Sequence, residues 1–145
     1  MTGAADLVDQ YLQLCEDRDV EAATAHLSPS VRIEFPGGKV YRSLRELVAV
    51  PKSYKWVRKL RDRYAVGTEG DATVVTSIGR LYGQRIDGTT FEDIRYVDVF
   101  VIRDNLIVEQ LVWNDLCENG FRVPPAETSE ASTPAVTASS TSSPL

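Results

Sequence analysis

Asp98 is the residue whose setting most calls for a chemical explanation. It lies mid-run in Tyr96-Val97-Asp98-Val99-Phe100-Val101-Ile102 and is the one carboxylate or cation there. Strand alternation puts Tyr96, Asp98, Phe100 and Ile102 on one face and Val97, Val99 and Val101 on the other. Both faces are apolar, which predicts a central strand covered on both sides. A bare carboxylate in that setting is costly, so the acid should be paired, kept protonated, or set on a cavity. Protonated, with its pKa raised by burial, it becomes a hydrogen-bond donor. Tyr11 offers a second donor, a phenol on the apolar stripe of an N-terminal helix that would face the sheet. Two donors in a dry cavity stabilise charge developing on a substrate oxygen, by roughly 3–4 kcal/mol each. The alternatives are a Tyr11 hydroxyl spent on a backbone group in the core and an Asp98 paired to an arginine such as Arg80.

Proton transfer needs a further group. Glu34 sits at the end of an early strand, and Asp115, with Asn114, ends the last one near the expected rim. Asn-Asp at a strand end is also ordinary turn chemistry. Ligand contacts are expected from Phe35, Leu81, Tyr96, Phe100, Trp113 and Asn114, although a tryptophan such as Trp113 also suits a core or an interface. His26 is the one histidine, on a short helix, and reads as a surface or packing residue. Cys15 and Cys117 lack metal-ligand spacing and read as reduced thiols rather than a disulfide. No metal or cofactor is expected.

These groups must be held by recognisable elements. Leu7, Val8, Tyr11, Leu12 and Cys15 have helical spacing. Asp19 can cap a second helix running through Leu27, ended by Pro29. Val31, Ile33 and Phe35 alternate with Arg32 and Glu34 as a short strand before the Pro36-Gly37-Gly38 turn. Ser43 and Glu46 form a capping box for a third helix, limited by Pro51. Residues 52–64 hold six of the 16 basic residues. We read them as a strand from about Trp56, with Trp56, Leu60, Tyr64 and Val66 on one face and Lys59, Arg61 and Arg63 on a solvated one. A nucleic-acid patch is the alternative. Strands follow at about 73–84, 92–102 and 106–114, with turns at Asp87-Gly88 and Asp104-Asn105, giving a four-strand antiparallel meander. Gly79 and Gly83 share a face with Leu81, which either lets the sheet bend or leaves room for an approaching group.

The totals bound the rest. With 145 residues, 43% hydrophobic and 26% charged, the chain suits one soluble domain. A net charge of −5 argues against nucleic acid as a partner. No apolar run approaches about 18 residues, so no membrane partner is expected. No basic segment leads into an apolar run at the N-terminus, so we expect a cytoplasmic protein without a secretory signal. From Ala126 on, 16 of 20 residues are Ser, Thr, Ala or Pro. The domain is therefore expected at 1–122 and a disordered tail at 123–145.

This order of elements resembles the nuclear-transport-factor-2-like fold, and within it SnoaL-like and ketosteroid-isomerase-like small proteins. The resemblance spans about residues 5–118. It rests on Tyr11 with Asp19-Val20-Glu21-Ala22, Glu34-Phe35-Pro36-Gly37-Gly38, Arg45-Glu46, Val97-Asp98-Val99 and Trp113-Asn114-Asp115. It implies an α+β fold, with a cone-shaped curved antiparallel sheet whose concave face is covered by three N-terminal helices. It also implies a homodimer and a hydrophobic small-molecule ligand. In ketosteroid isomerases a tyrosine and a protonated aspartic acid hold a dienolate oxygen, roles that would fall to Tyr11 and Asp98. That family's general-base aspartate is replaced here by Phe35, and Glu34 beside it points to the opposite face. The function implied is an isomerase, cyclase or lyase acting on a hydrophobic cyclic carbonyl compound through an enolate-like intermediate, with Glu34 or Asp115 moving the proton. The alternative is a non-catalytic binding module. Third is a limonene-type epoxide hydrolase, suggested by Arg85-Ile86-Asp87, although Asp87 reads as a hairpin tip.

Overall fold

The apolar runs that follow residue 26 pair into a single six-stranded sheet. The computed structural model describes residues 3–121. Its elements are α1 (Gly3–Glu16), α2 (Val20–Thr24), β1 (Leu27–Phe35), β2 (Lys39–Tyr41), α3 (Leu44–Val48), β3 (Tyr54–Glu69), β4 (Ala72–Arg85), β5 (Thr90–Arg103), β6 (Leu106–Asn114) and a 3-10 turn at Cys117–Asn119. The strand order is β2-β1-β6-β5-β4-β3. The expected α+β architecture is present, with β3 to β6 forming the antiparallel meander. The tail at 123–145 lies outside the described residues. Among those residues, no helix is long and apolar enough to cross a membrane.

Two features of the sheet differ from expectation. A short strand, β2, folds back on β1, and β1 itself runs parallel to β6. The sheet is therefore mixed, because the chain leaves β1 by way of β2 and α3 before the meander returns. Pairing with β6 also shortens the second helix. Leu27 sits opposite Ile107, and the carbonyl of His26 accepts the Ile107 N–H at 2.9 Å. Those residues join the sheet, and α2 stops at Thr24 instead of running through Leu27.

The helix caps form as the sequence predicts. Asp19 Oδ1 accepts the Ala22 N–H at 3.2 Å, and Ser43 Oγ accepts the Glu46 N–H at 3.0 Å. Helix α1 buries Leu7, Val8, Tyr11 and Leu12 against Val75, Phe100, Ile102 and Ile107. Its polar side faces β3, where Arg61 pairs with Asp9 at 2.9 Å and Glu16 at 3.2 Å. Lys59 also donates its backbone N–H to Glu16 at 2.8 Å. Asp104 and Asn105, with φ of 51° and 64°, make the tight turn between β5 and β6.

The faces of β3 are a correction. Trp56, Leu60 and Val66 are exposed, while Lys59 and Arg61 turn inward with Tyr64. The register shifts between Leu60 and Arg63, and a bulge there breaks strict alternation. The basic residues consequently meet carboxylates of α1 and β5 instead of solvent. Gly79 and Gly83 explain the bend. A Cβ on Gly79 would stand 1.9 Å from the Leu60 carbonyl oxygen, and one on Gly83 2.2 Å from that of Trp56. The space is taken by the folded-over β3, not by a ligand. On β5, Tyr96, Asp98 and Phe100 are buried as expected, whereas Val97 and Val99 on the outer face are only half-buried.

Candidate functional site

A cavity of about 520 Å³ opens where the ends of β1 and β6 meet the start of β3. Its walls come from the last residues of β1 (Phe35, with Pro36 and Gly37 beyond), from β2 (Lys39, Tyr41) and from Leu47 of α3. The loop from Val50 to Ser53, Tyr54 at the start of β3, Asn114 at the end of β6, and Leu116, Cys117 and Phe121 complete it. The strand ends arrive here because β1 and β6 run the same way and β3 begins where they stop. Phe35 meets Tyr41 edge-on at 6.0 Å, and Phe91 packs on Phe121 at 4.6 Å behind the wall. Lys52 folds back onto the end of α3, donating to the Leu47 carbonyl at 3.0 Å and the Val50 carbonyl at 2.6 Å. Burial and the nearby Arg18 charge lower its pKa.

Asp98 lies deeper. Asn114 sits opposite Tyr96, and Asp98 is the next inward position along β5, about 7 Å further into the sheet by strand rise. Its side chain is fully buried, and Lys59 Nζ stands 3.1 Å from Oδ2 with 23% of the lysine side chain exposed. The ammonium also lies 5.3 Å from the centre of the Tyr96 ring. The pair is close but poorly aligned, and neither Asp98 oxygen has a hydrogen bond of good geometry among the described residues. Burial pushes the Asp98 pKa up and Lys59 pulls it back. On Lys59, burial acts to lower the pKa, but the Asp98 charge and contact outweigh it and the value is raised. The two shifts give opposite readings of the pair. The carboxylate, with no exposure, bears more of the desolvation cost than the lysine, which reaches water.

Tyr11 is on the same side of the sheet as Asp98, with its ring edge-on to Phe100 at 6.0 Å. Its hydroxyl donates to Gln110 Oε1 at 3.0 Å. Burial first, then Cys15 and Asp98, hold its pKa well above that of a free phenol. Tyr96 shares a 2.9 Å hydrogen bond with Ser77. Tyr11, Gln110, Ser77, Tyr96, Lys59 and Asp98 thus form a polar layer inside the core, and none of them lines the described cavity.

The structure divides the residues singled out from sequence. Phe35 and Asn114 line the cavity. Leu81 packs behind it with Phe91 and Phe121. Tyr11, Tyr96, Phe100 and Asp98 belong to the buried layer. Glu34 lies off the described cavity wall and pairs with Arg32 at 2.8 Å. Asp115 is held by Arg95 at 2.6 Å. Trp113 lies opposite Val97 on the outer face and is 54% exposed. Arg80 does not reach Asp98, because it binds Asp62 and Asp93 on the surface. Arg85 stacks over Phe91 and Phe121, and Asp87 accepts from Thr89 at the hairpin tip, so both lie outside the described cavity lining. Cys15 and Cys117 are free thiols.

Lys59, Gln110, Lys52, Tyr54 and Phe121 were not visible as site residues. A bulge hides the inward turn of Lys59. Residues 50–53 and 121 lie outside regular strands and have no periodicity to read. Gln110 had a weaker signal, an amide just before the apolar Leu111-Val112-Trp113 run of β6. Among the described residues, no three His, Cys, Asp or Glu side chains converge as a metal would require.

No family model and no curated protein matches this chain by sequence. Solved structures do match. An NTF2-like protein of unknown function from Burkholderia pseudomallei superposes with a TM-score of 0.65 at 19% identity, over 82% of this chain and 95% of that one. TerC, crystallised with polyporic acid, gives 0.61 at 18% identity, over 79% and 93%. A proposed SnoaL-like polyketide cyclase from Jannaschia sp. CCS1 gives 0.55 at 21%, over 79% and 89%. At such identities the likeness shows the fold, which is nuclear-transport-factor-2-like.

Proposed function

We propose that this chain holds a hydrophobic cyclic carbonyl or phenolic compound in the cavity at the open end of its sheet. The observation that carries this reading is that cavity, about 520 Å³ and walled mostly by apolar side chains, within the size range of small-molecule sites. Two neighbours of the same fold add support, TerC through its crystal with polyporic acid and the other through its proposed cyclase role. Holding and orienting the ligand fits the wall better than acid–base chemistry on it. No carboxylate or imidazole occurs among the described lining residues, and Glu34 and Asp115 are committed to arginines.

Asp98 favours a second reading, an isomerase, cyclase or lyase working through an enolate. A buried acid with a raised pKa and unfilled hydrogen-bonding capacity, one inward position below the cavity, can carry a proton. β-Tetralone in heavy water separates the two. Binding should be detected by calorimetry and weakened at least about tenfold in Val50→Trp, which fills the cavity. A binder leaves deuterium uptake at the ketone's α-carbon at the buffer rate, whereas an enzyme accelerates it and Asp98→Asn removes the acceleration. No binding by the parent chain would end the cavity reading.

The same proposal includes a second copy of the chain on the outer face, where Leu60 and Trp113 are 44% and 54% exposed. Sedimentation should show a dimer that Trp113→Glu dissociates, and a monomeric parent would overturn this part.

A further inference from the structure

We propose that the ligand of this cavity is an anion, a ring compound bearing a carboxylate or an acidic enol, and that Lys52 grips its charged oxygen. This rests on the cavity being a ligand site, as argued above. The chain as a whole carries a charge of −5, yet the described residues lining the cavity include two lysines, Lys39 and Lys52, and no aspartate or glutamate. Lys52 thus brings a positive charge to the wall of a chain that is negative overall. Arg18 adds to it, since its charge acts on both Lys52 and Tyr54.

Lys52 is also positioned in advance. Two of its three N–H bonds go to the Leu47 and Val50 carbonyls, both residues of the cavity wall. The ammonium is thereby pinned at the end of α3, and one N–H remains for a ligand oxygen. A lysine tethered this way loses less side-chain freedom on binding than one recruited from solvent. Lys52 is exposed at the cavity mouth, and the advantage over a neutral donor is that its bond to a ligand oxygen is charge-assisted. The remaining wall, with Phe35, Tyr41, Leu47 and Phe121, suits the ring.

The test compares β-naphthoate with its neutral counterpart β-naphthylmethanol by calorimetry at low and high salt. The parent should bind the naphthoate about tenfold more tightly than the alcohol at low salt, with the preference shrinking as salt rises. Lys52→Met should erase the preference by weakening the naphthoate about tenfold more than the alcohol, and Lys52→Arg should keep most of it. Lys39→Met, which spares the α3 anchor, should reduce the preference by a smaller factor. Circular dichroism checks that each variant is folded. If the parent binds both probes equally, or if Lys52→Met weakens both alike, the inference is overturned while the cavity reading stands. If neither probe binds the folded parent, both are overturned.

Discussion

Replacing Lys59 with methionine should cost about 3–5 kcal/mol of stability at pH 8, because it strips a buried carboxylate of the one counter-charge it has among the described residues. Asp98 has no exposure and Lys59 Nζ is the cation 3.1 Å from it. The loss should shrink as pH falls, and the sign follows from where the proton sits. Burial already raises the Asp98 pKa, and Lys59 opposes that, so the variant's native state holds the proton to still higher pH. Unfolded, the same aspartate releases it near about pH 3.9. Between those values the native chain binds more protons than the unfolded one, and stability falls as pH rises. Urea unfolding from pH 4.5 to 8 reads this directly, and adding Asp98→Asn should abolish the slope. A Lys59→Met variant as stable as the parent and flat with pH would show that the pair is not formed. In the parent, the raised Lys59 pKa stabilises fully below the free lysine value of about 10.4, and that contribution is lost as pH climbs through the raised one.

Gly79→Ala should destabilise the fold by about 3 kcal/mol or more, through overpacking against backbone that cannot yield. The added methyl would meet the Leu60 carbonyl oxygen at 1.9 Å and the Tyr96 ring at 2.9 Å. Gly67→Ala, in the same sheet with nothing within 4 Å, should stay within about 0.5 kcal/mol of the parent or gain slightly. The difference in urea midpoint between the two is the measurement. Equal midpoints would mean that β3 does not fold over β4 as described.

The sequence exposed the interior of this molecule better than its opening. Asp98 stood out because a lone acid in an apolar strand has few permissible fates, and pairing to a cation was one of them. The partner could not be named, since Lys59 faces inward only because a bulge shifts the phase of β3. The same break in alternation inverted the assignment of Trp56 and Leu60. Helix caps, hairpin turns and the meander follow local rules and were legible. The parallel pairing of β1 with β6 depends on residues far apart in the chain, which no local pattern encodes. The cavity wall was hardest to see. Val50, Lys52 and Phe121 reach it from irregular backbone, where position is set by tertiary contacts.

The parallel seam between β1 and β6 also constrains how the chain is made. Arg32 and Glu109, which meet across it, are 77 positions apart. A ribosome adding about 5–20 residues per second needs roughly 4–15 seconds to span that distance. Throughout that interval Val31 and Ile33 have been synthesised, but their neighbour strand has not. The nascent chain therefore carries a greasy, half-paired ribbon that is open to stray association, and its final closure waits on the last strand to emerge.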